Sequence, residues 1–199
     1  MTLPASPADP AALPAPAADL WKPVLTRALV ALAFGAVTVF WAAPSASGMG
    51  WAGGLYLLAT GVTLIRGIGK LGPAAAKLPA GKIMAAAAAA MTGAGVAVVF
   101  LGSELVFGVI AALGLGLLGA AELYLGFLYR GRSILSRDWL ASGVIGLSTA
   151  LALPFFIGLG AHALLGVAGG GAIISGVLWI LSALTLRHDA RPVSSEAVN

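Results

Sequence analysis

Cysteine is absent from the 199 residues, and charged side chains make up only 9% of them. The first absence removes disulfide frameworks, zinc ribbons, redox dithiols and cysteine nucleophiles. The second is more restrictive. A soluble domain carries about a quarter charged residues and is roughly half apolar. A chain that is 60% hydrophobic, with a mean hydropathy of +1.02, cannot cover a water-facing surface and belongs in a membrane. Two histidines and seven carboxylates are all that remain for acid–base or metal chemistry, so no catalytic set and no cofactor is expected. The net charge of +4 reads as basic loops beside lipid headgroups rather than as a nucleic-acid surface.

What the chain does have is long apolar runs. Residues 1–22 are dominated by Pro and Ala, with prolines at 4, 7, 10, 14 and 16 that forbid a continuous helix, and read as a disordered, solvated cytoplasmic tail without the basic and apolar regions of a signal peptide. Residues 23–187 hold six apolar stretches, at 25–43, 48–65, 83–101, 105–129, 139–156 and 162–186, and residues 188–199 form a short second tail. At about 20 residues each stretch spans roughly 30 Å as a helix. Without period-two alternation the runs exclude a β-barrel. The expected fold class is therefore all-α, a polytopic membrane protein of six transmembrane helices. Lys22 and Arg27, the group Arg66, Lys70, Lys77 and Lys82, the group Arg130, Arg132 and Arg137, and finally Arg187 and Arg191 all fall on one side. The connections 44–47, 102–104 and 157–161 contain no Lys or Arg, which places both termini in the cytoplasm of a bacterium and the protein in its plasma membrane. Trp41 and Trp51 then belong to the outer aromatic belt, and Trp21, Tyr129, Trp139 and Trp179 to the inner one.

The short outer turns make three antiparallel hairpins, and these look like repeats. Hairpin starts at Arg27, Lys82 and Arg137 are 55 residues apart, and Thr60-Gly61-Val62-Thr63-Leu64-Ile65 matches Ser175-Gly176-Val177-Leu178-Trp179-Ile180. Pro44 and Pro154 close the first helices of hairpins one and three, whereas the middle hairpin has an alanine run and no such proline. The segment Arg27-Ala-Leu-Val-Ala-Leu-Ala-Phe-Gly35, with Trp41, Pro44 and Leu55-Tyr-Leu-Leu-Ala-Thr-Gly61-Val-Thr-Leu-Ile65, resembles the first repeat of the HdeD-like membrane proteins. Leu147 to Pro154 with Ala172-Ile-Ile-Ser-Gly176-Val resembles the last repeat, and the likeness extends over residues 24–187. This resemblance implies a six-helix inner-membrane protein of three short repeats from a family linked to bacterial acid resistance. It implies no catalytic or ligand residues.

Among individual residues, Gly114-Leu-Gly116-Leu-Leu-Gly119 has the spacing of a dinucleotide fingerprint but lies inside an apolar span, where small residues serve close helix packing. The pairs Gly50 with Gly54 and Gly166 with Gly170 read as interfaces, within the chain or between copies or membrane partners. Ser142, Ser175 and His162 do not make an intramembrane serine protease motif, and their hydroxyls are expected to bond backbone or a neighbouring helix. His162 and His188 fall at opposite faces and cannot share a metal. The basic stretch 66–82 either attracts anionic lipid or serves as a topogenic signal. Glu104 is expected to be solvated in an outer turn. Glu122 is the one acidic residue within a span and hence the candidate intramembrane functional residue. Two roles stand open for it: a structural pair with an inner arginine such as Arg66 or Arg130, or proton handling in a wet cavity. The functional reading is a non-enzymatic membrane protein in acid or envelope stress resistance. The alternatives are a small transporter or channel for protons or a small solute, and an interaction subunit of a membrane complex.

Overall fold

A computed structural model describes residues 20–133 and 135–190. Most of the N-terminal tail, residue 134 and nearly all of the C-terminal tail lie outside the described residues. The described chain is helical and contains no strand, and six of its helices are long and apolar enough to cross a membrane. They are α1 (Trp21–Phe40), α2 (Ala46–Lys70), α4 (Pro79–Leu101), α5 (Glu104–Leu128), α6 (Ser136–Leu159) and α7 (Ala161–Asp189), with a short α3 (Gly72–Lys77) between the second and third. Helix α5 carries a π-helical turn at Phe107–Ala111, and α6 ends in a 3-10 segment at Leu153–Leu159.

The spans expected from the sequence are all present, and the largest differences lie at their basic ends. Helix α2 runs on to Lys70 through Gly67 and Gly69, and α4 begins at Pro79 because proline suits a first helical turn, where its missing N–H has no acceptor to lose. The connection between the second and third spans folds into α3, with Pro73 in its first turn.

Closed pairing around a ring organises the six spans. Helix α1 packs most closely with α7, α2 with α4, and α5 with α6; the hairpin partners α1–α2, α4–α5 and α6–α7 pack more loosely. In every hairpin the second helix is the more buried, so α2, α5 and α7 form an inner triad and α1, α4 and α6 a periphery.

The glycine contacts show that this ring has a pseudo-threefold repeat. A Cβ added to Gly61 would lie 2.7 Å from the Ala88 carbonyl oxygen, one on Gly119 3.0 Å from that of Gly143, and one on Gly176 3.2 Å from that of Ala28. The looser interface repeats too. Phe34 stacks on Tyr56, Gly114 lies against Ala94, and Gly171 against Thr149. These pairs superpose on one another only if first helices are offset by 60 and then 55 residues and second helices by 58 and then 57. The same offsets bring Phe40, Phe100 and Phe155 into register, and these rings at the outer ends of the peripheral helices are 86%, 83% and 83% exposed, toward lipid.

This register corrects the even spacing of 55. Lys82 and Arg137 correspond to Lys22, whereas Arg27 corresponds to Ala87 and Ser142, more than a turn deeper. The match of Thr60-Gly61 with Ser175-Gly176 holds, and Leu118-Gly119 supplies its third member.

The outer turns follow the same repeat. Ser45 Oγ accepts the Gly48 N–H at 3.0 Å to cap α2, and Ser103 Oγ accepts the Val106 N–H at 3.2 Å to cap α5. The third equivalent is Gly160, which has no side chain to offer and a φ of +89° that a larger residue would resist. There Glu104 Oε1 accepts the Ala161 N–H at 3.0 Å. Glu104 is thus not simply solvated: it caps the first turn of α7, where the helix dipole favours a carboxylate.

Candidate functional site

Hydroxyls in the spans are mostly spent on their own helices. Thr38, Thr63, Thr92, Thr149 and Ser182 each donate to a carbonyl three or four residues back. The polar groups that remain converge at one depth. Arg27 lies six residues into α1 and Glu122 six residues before the end of α5, each about 9 Å from its helix's basic end at 1.5 Å per residue. Their side chains meet, with Arg27 Nη1 2.6 Å from Glu122 Oε1. Glu122 is 1% exposed and Arg27 11%. The contact is close but poorly aimed, since Oε1 accepts no well-aligned hydrogen bond among the described residues. The pair is held by charge more than by direction. The sequence-based expectation of Arg66 or Arg130 as partner is therefore corrected: Arg66, one turn before the end of α2, is exposed, Arg130 lies beyond the end of α5, and Arg27 is the residue that meets Glu122.

Trp179 completes the arrangement. Its ring lies 4.5 Å from the Arg27 guanidinium carbon, and its Nε1–H donates to Ser142 Oγ at 3.1 Å. It is 2% exposed, so it belongs to the core and not to the inner aromatic belt. Ser142 bonds a neighbouring helix as expected. By the repeat register Leu64, Glu122 and Trp179 are equivalent positions, as are Arg27, Ala87 and Ser142. The charge pair joins the first helix of repeat one to the second helix of repeat two, and the tryptophan–serine hydrogen bond joins the two helices of repeat three. Ser142 and Trp179 belong to the same repeat, yet both reach the pair formed by repeats one and two.

Two cavities meet here. A small one of about 30 Å³ is lined by Arg27, Tyr56, Thr60, Glu122, Ser142, Ser175 and Trp179 among others, room for about one or two water molecules. A partly open one of about 300 Å³ lies on the basic side, walled by apolar residues such as Val24, Leu64, Ile68, Met84, Leu125 and Trp139, with Arg132 and Ser133 also lining it. Arg27 and Trp179 line both and stand between them. Toward the other face Met49, Met91, Val98, Phe107, Leu153 and Leu164 fill the core at 0–1% exposure. Arg27 thus has open space on the basic side and a packed core on the other.

Comparison with family models, with curated proteins and with solved structures finds no match. The site therefore rests on its own geometry. Tyr124, the other tyrosine in the spans, is 56% exposed and takes no part in the site. His162 is exposed at the start of α7 and His188 at its end, and no cluster of possible metal ligands occurs among the described residues. The Gly114–Gly119 run packs against α4 and α6 within a continuous helix. Gly50 and Gly54 also meet α4 closely, whereas a Cβ added at Gly166 or Gly170 would meet nothing within 4 Å, so these two present a bare face.

Proposed function

We propose that this integral membrane protein is a non-enzymatic component of acid or envelope stress resistance in a bacterial plasma membrane, as the HdeD-like resemblance implies, and that the Arg27–Glu122 pair is its working element. The observation that carries the reading is a buried ion pair with a cavity on one side of it and a packed apolar core on the other. A conduit for protons or solutes needs polar groups on both sides of its central site, and here the half beyond Glu122 is filled with methionine, leucine and phenylalanine. A group that exchanges with one compartment suits sensing or regulation. Reconstituted in liposomes, the protein should add no proton flux to that of protein-free vesicles under a pH gradient. Deletion should lower survival after acid challenge more than it lowers growth at neutral pH, and restoring the wild-type chain should recover it. Proton flux would favour the transporter reading, and equal survival of deletion and parent strains would remove the stress role.

The basic end is assigned to the cytoplasm by the one-sided Lys and Arg placement, with the connection 66–82 beside anionic headgroups. Cysteines introduced at Ser47, Ser103 and Gly158 should react with an impermeant thiol reagent in intact cells, and those at Gly72 and Ser133 should not. Labelling of the second pair in sealed cells would overturn this orientation.

A further inference from the structure

The cavity of about 300 Å³ is at the lower end of ligand-sized pockets, and its composition is specific. The walls are aliphatic and aromatic, and its end nearest the bundle core is closed by a guanidinium whose one ion-pair partner among the described residues is Glu122. Arginine has five N–H donors, and the contact with Oε1 runs through Nη1. A cation with donors to spare at the end of an apolar chamber is complementary to a carboxylate carried on an apolar body. Taking about 30 Å³ for each water-sized group, the chamber accepts roughly ten non-hydrogen atoms.

Charge balance decides how such a ligand could enter. Arg27 and Glu122 are together neutral, and Arg132, the other cation lining the chamber, is exposed in the α5–α6 connection and screened by water, so an anion arriving alone at Arg27 would leave a net negative charge in the low-dielectric end of the site. The balance is kept if the ligand arrives as the neutral acid. Its O–H bond breaks, the proton forms an O–H bond on Glu122, and the carboxylate takes the place beside Arg27 that Glu122 has vacated. No charge is created. Of the residues lining either cavity, those that are charged or titratable are Arg27 from α1, Tyr56 from α2, Glu122 from α5 and Arg132 from the α5–α6 connection; α4, α6 and α7 contribute none.

We propose that the basic-side cavity binds a small monocarboxylic acid with an apolar body, its carboxylate on Arg27 and its proton on Glu122. This deepens the assignment of the Arg27–Glu122 pair as the working element by naming its ligand class. It does not depend on the stress role, because binding is read on purified protein and can hold where the survival test fails.

The test is calorimetric titration of octanoate into the full chain in phosphatidylcholine nanodiscs, with empty nanodiscs as the blank. Proton uptake is measured by repeating the titration in buffers of different ionisation enthalpy. Binding should take up one proton per octanoate anion, and the affinity for the anion should fall about tenfold for each pH unit of rise above neutrality. Octanamide and octanol should bind at least tenfold more weakly than octanoate at about pH 6. Glu122→Gln, which removes the charge without removing the shape, should bind octanoate at neutral pH at least as tightly as the parent and without pH dependence. Val24→Trp, which fills the chamber and leaves the charges, should abolish binding. A chain-length series separates the sources: a maximum at octanoate identifies a soluble acid, and binding confined to palmitate identifies a fatty acid from the bilayer. Equal affinity for octanol and octanoate, absence of proton uptake, or weaker binding by Glu122→Gln would each overturn the proposal.

Discussion

Replacing Arg27 with leucine should destabilise the protein by about 3–5 kcal/mol, the usual consequence of removing one partner of a buried ion pair and stranding the other. The reason is the position of Glu122, at 1% exposure with Oε1 lacking any well-aligned donor among the described residues and Arg27 as its ion-pair partner. The converse substitution, Glu122→Leu, should be milder. Arg27 retains its contact with the Trp179 ring, is 11% exposed, and lines the cavity on the basic side, so its long side chain can turn toward that opening and be hydrated there. The double variant Arg27→Leu/Glu122→Leu should recover most of the loss, because well-packed apolar residues replace a buried pair at little expense. Thermal unfolding in mild detergent measures all three. If the double variant is less stable than Arg27→Leu alone, the two side chains do not act as a pair and the site as described is wrong.

The sequence was informative where the bilayer is strict and uninformative where packing decides. Hydrocarbon demands continuous apolar runs with internally satisfied backbone, and so the six spans could be counted before any contact was known. Glu122 could be singled out for the same reason, since a carboxylate in a span is conspicuous. Its partner could not. Arg27 follows Lys22 closely enough to be counted with the basic helix starts, and only the packing of α1 on α7 shows that it is more than a turn inside. A signal for this was present: aligning Lys22 with Lys82 and Arg137 leaves Arg27 opposite Ala87 and Ser142, an unmatched charge facing an unmatched Glu122. That alignment depends on offsets of 60 and 55 residues, which differ because the connection containing α3 is longer than the one after Tyr129 and because the middle hairpin has the shorter outer turn. Trp179 was misplaced for a similar reason. Near the basic end of a long helix it looks like an interfacial tryptophan, but α7 continues ten residues beyond it to Asp189, which puts the ring at the depth of Arg27.

The largest structural effect is expected at the glycines that repeat around the ring. Without a hydrophobic force between helices in lipid, association depends on close van der Waals packing, and the closest approaches here are backbone to backbone. Gly61→Ala would push a methyl group to 2.7 Å from the Ala88 carbonyl oxygen, and Gly54→Ala to 2.8 Å from that of Gly95. Neither oxygen can move without shifting a helix. Overpacking of this kind costs about 1–3 kcal/mol for a single methyl and more for a branched side chain, so Gly61→Val or Gly54→Val should prevent accumulation of folded protein. The opposite sign is expected where the face is bare. A Cβ at Gly93 or Gly170 meets nothing within 4 Å, and alanine there should stabilise the helix by up to about 1 kcal/mol through its better propensity. Gly176→Ala is the intermediate case, with Ala28 oxygen at 3.2 Å and a movable Leu32 side chain as its neighbours, so its loss should be smaller than that of Gly61→Ala. Folded yield and thermal stability of the four alanine variants should therefore rank Gly93 and Gly170 at or above the parent, then Gly176, with Gly61 lowest. A flat ranking would mean that the close pairs α2–α4 and α1–α7 do not hold the ring together, and the pseudo-threefold arrangement that brings Arg27 to Glu122 would lose its support.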